Sequence, residues 1–336
     1  MPASLRLSLL LLLLMALVAC SSTPAAQPTP MPATVPSAPA AFPVSIEHKY
    51  GVTTITSPPT RIVTVGLTEQ DALLALGMAP VGTTEWFGGY PGALWPWAQA
   101  KLSGETPVVV GDASRVNFEQ IAALKPDLIL AIYSGISEND YRLLSAIAPT
   151  VAQPAGYVDY GVPWQELTRT VGKAIGKTAE ADALVRAVED RFAQIRAAHP
   201  DFVGASALVA TPYQGIYLYG PEDVRGRLLT SLGFTLPDEL VQIAGNSFGG
   251  NLSMERLDLI NVDVLIWLDL NAGNELLSNP LYTALPVHRE GREVFLASNE
   301  PLGGATSFVS VLSLPYLLDG LTPLLAAAID GDPATK

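Results

Sequence analysis

The sequence predicts an α/β protein of two similar lobes joined by one long helix, on three observations. A segment at 118–131, FEQIAALKPDLILA, is written a second time at 254–267 as MERLDLINVDVLIW. Short aliphatic runs alternate with helix-period stretches in both halves of the chain. Between the halves, AEADALVRAVEDRFAQIRAA at 179–198 contains no Gly or Pro and spaces Ala183, Val188, Phe192 and Ile195 along one helical face. One helix between two lobes is a stiff connection, so large closure is not expected.

Taken in order, residues 1–19 hold one charged side chain, Arg6, and an apolar run from Leu7 to Val18 that is too short for a comfortable membrane span. This reads as a secretory signal peptide. Leu17-Val18-Ala19-Cys20 resembles the lipobox of bacterial lipoproteins, which implies cleavage before Cys20, acylation of that residue and an extracytoplasmic, lipid-anchored protein. Residues 20–43 turn to Pro, Ala, Thr and Ser, a composition that cannot build a core and reads as a tether.

The folded part opens with a hairpin over Ile46–Tyr50 and Thr53–Thr56. Ile62–Val65 follows as a buried strand. Thr68 with Asp71 makes a capping-box start for a helix through Leu76, which Gly77 stops. Val81–Thr83 is the next strand. In the duplicated units a short helix, capped by Asn117 or Ser253, feeds a buried parallel strand. Each unit places a Glu in the first turn, Glu119 or Glu255, and an Asp at the same offset, Asp127 or Asp263. Trp164–Ile175 and Ala179–Ala198 are helices. Ala207–Ala210 is a strand, Arg225–Leu232 a helix stopped by Gly233, and Ser313–Ala328 supplies the terminal helices. The expected boundaries are an N-terminal lobe at 44–176, a connecting helix at 177–199 and a C-terminal lobe at 200–330.

The chain has 336 residues, 49% of them hydrophobic and 15% charged, ample for a well-packed core. The formal charge of −13, with no basic run, argues against nucleic acid as a partner. Cys20 is the single cysteine, so no disulfide forms within the chain. His48, His199 and His288 lie far apart and read as surface residues, which disfavours a bare-metal receptor and any resident metal. The sequence has no P-loop, no dinucleotide glycine fingerprint, no G-x-S-x-G and no H-E-x-x-H, and no enzymatic activity or cofactor is expected.

RIVTVGLTEQDALLALGMAPVG, FEQIAALKPDLILA, LSMERLDLINVDVLI and NPLYTALPVHREGREVF, in this order behind a lipobox, resemble the substrate-binding lipoproteins of ABC importers for ferric siderophores, cobalamin and haem. The resemblance covers roughly residues 44–329. It implies two Rossmann-like α/β lobes joined by one long rigid α-helix, with the ligand in the cleft between them. It further implies a monomer that delivers its chelate to a permease dimer with a cytoplasmic ATPase. Glu119 and Glu255 match the glutamates that dock such proteins onto permease arginines. Residue chemistry alone also allows each Glu simply to complement a helix N-terminus, worth about 0.3–1 kcal/mol. The expected substrate is a ferric siderophore; the alternatives are a receptor for another bulky chelate, cobalamin or haem, and a cell-envelope lipoprotein of this fold without a transport role.

Ligand contacts are expected from loops that follow strands. Trp86, Tyr90, Trp97, Tyr133, Tyr160 and Trp164 are the candidates from the first lobe, and Tyr213, Tyr217, Trp267 and Phe308 from the second, because rings grip broad ligands. Arg115 and Arg225 are the expected guanidinium donors. After Lys177 the only lysine is Lys336, which leans the ligand toward a hydroxamate, mixed or otherwise less charged chelate.

Overall fold

The computed structural model describes residues 42–332 and Ala334. Residues 1–19, Cys20 and nearly all of the tether lie outside the described residues. No described helix is long and apolar enough to cross a membrane.

An antiparallel hairpin of β1 (Val44–His48) and β2 (Gly51–Ile55) precedes the first lobe. That lobe runs β3 (Ile62–Thr64), α1 (Glu69–Ala75), β4 (Gly82–Glu85), α2 (Pro96–Gln99), β5 (Val108–Asp112), β6 (Arg115–Val116), α3 (Phe118–Ala123), β7 (Leu128–Ala131), α4 (Glu138–Ser145) and β8 (Thr150–Ala152). Its sheet has the order β6-β5-β4-β3-β7-β8, parallel throughout except at the β5–β6 edge. Every residue of β3, β7 and β8 is buried, which is why these strands are written as unbroken aliphatic runs.

α5 (Trp164–Ala174) and α6 (Thr178–Ala198) then lead to the second lobe. Its elements are β9 (Ala207–Thr211), β10 (Ile216–Tyr219), α7 (Val224–Leu232), α8 (Asp238–Ala244), β11 (Gly249–Leu252), β12 (Val264–Leu268), α9 (Pro280–Thr283), α10 (Pro286–Arg289), β13 (Glu293–Leu296), α11 (Pro301–Phe308) and α12 (Ser313–Ile329). The sheet order is β11-β10-β9-β12-β13. Only β9, β12 and β13 pair in parallel; β9–β10 and β10–β11 are antiparallel. The expectation of plain strand–helix alternation misses this hairpin, which turns at Gln214 and Gly215, both with positive φ.

The duplicated Asp has the same task in both lobes. Asp127 accepts hydrogen bonds from the backbone N–H groups of Thr60 and Arg61, each at 2.8 Å, just ahead of β3. Asp263 accepts one from the Ser206 N–H at 2.8 Å and one from its hydroxyl at 2.7 Å, just ahead of β9. Each carboxylate therefore sets the register in which two central parallel strands begin. Asn117 caps α3 by accepting from the Gln120 N–H at 3.1 Å, and Ser253 caps its counterpart by accepting from the Glu255 N–H at 3.3 Å. The second copy is a 3-10 segment, Met254–Ile260, broken at Arg256, rather than an α-helix.

α6 has 21 residues and spans about 31 Å. Its buried stripe is Ala181, Val185, Val188, Phe192 and Ile195; the predicted Ala183 is exposed. The stripe belongs to one apolar core that continues from the first lobe into α7, α11 and α12. At the seam Trp95 stacks on Trp97 with a 5.2 Å centroid separation, and Phe308 meets both edge-on at 5.8 and 5.4 Å. α11 approaches so closely that a Cβ on Gly304 would lie 2.4 Å from the Trp95 ring.

Two further expectations are corrected. Thr68 makes no side-chain cap, and Asp71 does not complete a capping box. Asp71 is instead buried at the seam, where it accepts from the Trp97 indole N–H at 2.9 Å and from the Ser310 hydroxyl of the other lobe. His48 is buried rather than at the surface, bonded to Thr53 at 2.9 Å, because the hairpin folds it against Tyr141.

Burial lifts the Asp71 carboxyl from the ordinary 3.8 to about 6, against the pull of its two donors. A raised folded-state pKa means that the folded protein holds this proton more tightly than the unfolded chain. The associated stability is fully present below about pH 4 and lost as pH rises through 6. Asp71→Asn keeps an acceptor for Trp97 and removes the titration. Between pH 4 and pH 7 the parent should lose roughly 2 kcal/mol relative to this variant in denaturant unfolding; parallel pH profiles would refute the account.

Candidate functional site

Four consecutive parallel strands of the first lobe deliver residues to one place at their C-terminal ends. Leu67 follows β3, Trp86 follows β4, Ala113 follows β5 and Tyr133 follows β7, and Tyr160 joins them from the loop after β8. The C-terminal edge of a parallel sheet is where α/β proteins place ligands. The second lobe faces these groups with Tyr217 and Tyr219 from β10, Asp223 and Arg225 at the start of α7, and Phe248. Together they enclose a cavity of about 350 Å³ between the lobes.

Two further cavities share its walls. One of about 690 Å³ extends past Tyr217 and Tyr219 to Tyr213, Asp269 and Asn271. A smaller one, about 100 Å³, extends past Leu67, Ala113 and Tyr160 to Asp112 and Arg115. The combined space suits a ligand larger than a simple metabolite.

A buried carboxylate holds the first-lobe wall in place. Glu69 accepts from the N–H groups of Ile132 at 2.6 Å and Tyr133 at 2.8 Å, and from the Thr68 N–H at 3.1 Å. Burial raises its pKa while these backbone donors oppose the rise. The Glu69 carboxylate occupies the space where a Cβ on Gly66 would sit, so glycine is required there. Tyr133 is thereby fixed with its ring 6.4 Å from Trp86 and 5.9 Å from Tyr160. Tyr160 adopts φ +60° in the left-handed region and lays its ring over Gly135. A tyrosine held so, at a cleft wall, is strain stored at a binding site.

Across the cleft Arg225 is the deep cation. Both of its terminal nitrogens are engaged: one donates to the two Asp223 oxygens at 2.9 and 3.0 Å, the other to the Ser307 hydroxyl at 2.8 Å. Its guanidinium carbon lies 4.0 Å from the centroid of Tyr219. Burial opposes the charge, and the Asp223 carboxylate more than offsets this, leaving the pKa raised.

Among the sequence-predicted residues, Trp86, Tyr133, Tyr160, Tyr217 and Arg225 come together in the central cavity. Tyr213 and Arg115 stand in the two adjoining ones, both exposed. The other predicted residues stand elsewhere in the structure. Trp97 and Phe308 are buried in the inter-lobe seam, and Tyr90 packs on Trp95 at 4.7 Å. Trp164 is buried at the head of α5 beside a separate cavity of about 250 Å³. Trp267 is fully buried in the second lobe's outer core, donating its indole N–H to Glu293 at 3.0 Å. Sequence reasoning missed Tyr219, Asp223 and Phe248. Tyr219 was within reach, since the alternation of IYLY puts it on the same face as Tyr217.

Two α/β lobes on one helix, with a ring-lined cavity between them, define a ligand-binding protein of the two-lobed kind. The chain belongs to the periplasmic binding protein family, whose pattern it matches over residues 62–300. It is 38% identical to a periplasmic solute-binding protein of Mycobacterium smegmatis of known structure, with a TM-score of 0.76 over 85% of this chain and 98% of that one. It is 28% identical to PiaA of Streptococcus pneumoniae, solved in complex with ferrichrome, with a TM-score of 0.75 over 86% of this chain and 99% of the other. The putative ABC transporter substrate-binding lipoprotein YhfQ of Bacillus subtilis is 27% identical over 74% of this chain and 79% of its own length.

The two tryptophans divide the roles cleanly. Trp86→Ala should weaken ligand binding by tenfold or more, and its half-buried ring, which also packs on Phe87 and Phe308, makes some loss of stability part of the expected result. Trp267→Phe should destabilise the fold by about 1–3 kcal/mol, by removing one of the two donors to Glu293 Oε1 (the other is the Tyr282 hydroxyl) and part of a buried ring, and leave affinity unchanged. Titration calorimetry and denaturant unfolding on both variants test this, and a reversal of the pattern would move the binding site.

Proposed function

We propose that this protein is the extracytoplasmic substrate-binding component of an ABC importer, capturing a ferric siderophore between its lobes and presenting it to a membrane permease. The observation that carries the reading is the inter-lobe cavity, walled by Trp86, Tyr133, Tyr160, Tyr217 and Tyr219 around Arg225. Rings supply area for a bulky chelate, and phenol hydroxyls and a guanidinium supply donors for its oxygens. The ferrichrome bound by PiaA and the lipoprotein name of YhfQ support the same assignment. Cys20, acylated after cleavage of residues 1–19, tethers the domain through the Pro/Ala-rich segment. The ATPase on the far side of the membrane supplies the energy of release; this chain contributes binding and docking.

Titrating the full-length protein with ferrichrome, ferric dicitrate, ferric enterobactin, haem and cobalamin, followed by tryptophan quenching, tests the receptor reading. Saturable sub-micromolar quenching by a ferric chelate, with none by zinc or manganese ions, is expected. Binding of haem or cobalamin alone would reassign the substrate. Silence from all of them would favour a cell-envelope lipoprotein without transport.

Docking is assigned to Glu119 and Glu255, which are exposed in the first turns of the duplicated units. Exposed carboxylates on a two-fold pair of sites suit guanidinium partners, with orientation rather than strength as their main contribution. The double substitution Glu119→Arg/Glu255→Arg should abolish uptake into cells and leave chelate affinity within twofold of the parent. Uptake that survives the double reversal would refute the docking assignment.

A further inference from the structure

Arg225 is the deepest cation in the cleft, and its charge is already spent. Asp223 accepts the Arg225 backbone N–H at 2.8 Å as the N-cap of α7 and grips one terminal nitrogen with both oxygens. The two side chains are each 10% exposed, so no solvent intervenes to loosen the pair. A cation and anion in such contact look neutral to a ligand more than a few ångströms away. A buried ion pair is a poor source of stability, which directs attention to what the pair does for the site.

Three of the five N–H donors of Arg225 are taken up by Asp223 and Ser307, which leaves the Nε–H and one Nη2 hydrogen. The Nε–H is buried and has no hydrogen-bond partner among the described residues. A neutral chelate oxygen satisfies such a donor as well as an anionic one does. Asp112 and Arg115 offset one another in one adjoining cavity, where Asp140 also lines the wall, and Asp269 lines the other. No lysine lines any of the three cavities. The charges around the ligand thus sum to a negative value, into which a polyanion would enter against repulsion.

We propose that Asp223 sets the charge class of the ligand: by neutralising Arg225 it restricts the cleft to ferric chelates without net negative charge, of the tris-hydroxamate kind, and holds off tris-catecholates and polycarboxylates. This rests on the reading of the cleft as a chelate receptor. Affinity then comes from ring contact and neutral hydrogen bonds, and selectivity from an absent counter-charge.

Asp223→Asn tests the assignment without dismantling the helix, because Asn offers the same capping oxygen. Asp223→Ser, also a competent cap, is the second variant should the amide disturb folding. Full-length protein and both variants are titrated with ferrichrome, a neutral tris-hydroxamate, and ferric enterobactin, a trianionic tris-catecholate. The parent should bind ferrichrome at least tenfold more tightly, and each variant should narrow the gap by roughly tenfold as the guanidinium charge is released. Enterobactin binding to the parent as tightly as ferrichrome would overturn the proposal and leave the receptor reading standing. An unchanged ratio in both folded variants would overturn the role of Asp223. If neither chelate binds any form this inference is overturned, and if ferric dicitrate, haem and cobalamin are silent as well the receptor reading fails with it.

Discussion

Trp95 sits against Phe87, Trp97 and Phe308 with centroid separations of 5.2, 5.2 and 5.8 Å, and the two lobes are locked through it. Rings of this size bury roughly 150–250 Å² each, so parting the lobes would expose several kcal/mol of apolar surface. Opening would also strip the buried Asp71 carboxyl of its Ser310 donor from the second lobe. A cleft between lobes joined this way has its shape before any ligand arrives. Affinity then depends on how well a ligand fits rather than on closure around it, in keeping with a single stiff α6 in place of flexible strand crossings.

The same rigidity permits strain at the rim. Tyr160 and Asp269 adopt positive φ at the cavities, as does Gln214 in the turn between β9 and β10. Non-glycine residues in this region cost on the order of 1–3 kcal/mol each, and persist where surrounding packing fixes them. Beside Tyr160, Glu69 holds the turn after β7 through the N–H groups of Ile132 and Tyr133, and ties it to the start of α1 through that of Thr68. The arrangement trades stability in the core for side chains aimed into the cleft.

Local pattern carried most of the architecture. The aliphatic runs of β3, β7 and β12, the Gly77 and Gly233 stops and the uninterrupted α6 were all readable, because each depends on neighbours within a few residues. The β9–β10–β11 edge was not, since Tyr213-Gln214-Gly215 resembles a loop until the antiparallel pairing is seen. The aromatics show where reading by residue type stops. Trp86, Trp97 and Trp267 are alike in sequence, yet one lines the cleft, one cements the seam and one packs the outer core. Their fates turn on which face of a strand or turn points inward, and on partners far away in the chain: Ser310 for Asp71, Glu293 for Trp267. Asp71 misled for the same reason, since Thr-x-x-Asp spells a cap locally and the tertiary fold claimed the carboxylate.

The duplication is confined to one end of the molecule's sheets, and this separates its meaning from that of the cleft. Asp127 and Asp263 act where β3, β7, β9 and β12 begin, and there the two lobes use the same carboxylate-to-backbone device. Where those strands end, the lobes part company: the first supplies Trp86, Tyr133 and Tyr160, the second Tyr219 and the Asp223–Arg225 pair. Strand beginnings need only register, a requirement identical in each lobe, so identical residues meet it. A ligand without two-fold symmetry needs different groups on its two sides, so strand ends must diverge. The step from Glu119 to Asp127 equals the step from Glu255 to Asp263, which ties the exposed glutamates to the half of the pattern kept alike rather than the half that differs. A surface kept alike on both lobes fits the proposed two-fold permease, and the unlike walls of the cleft do not.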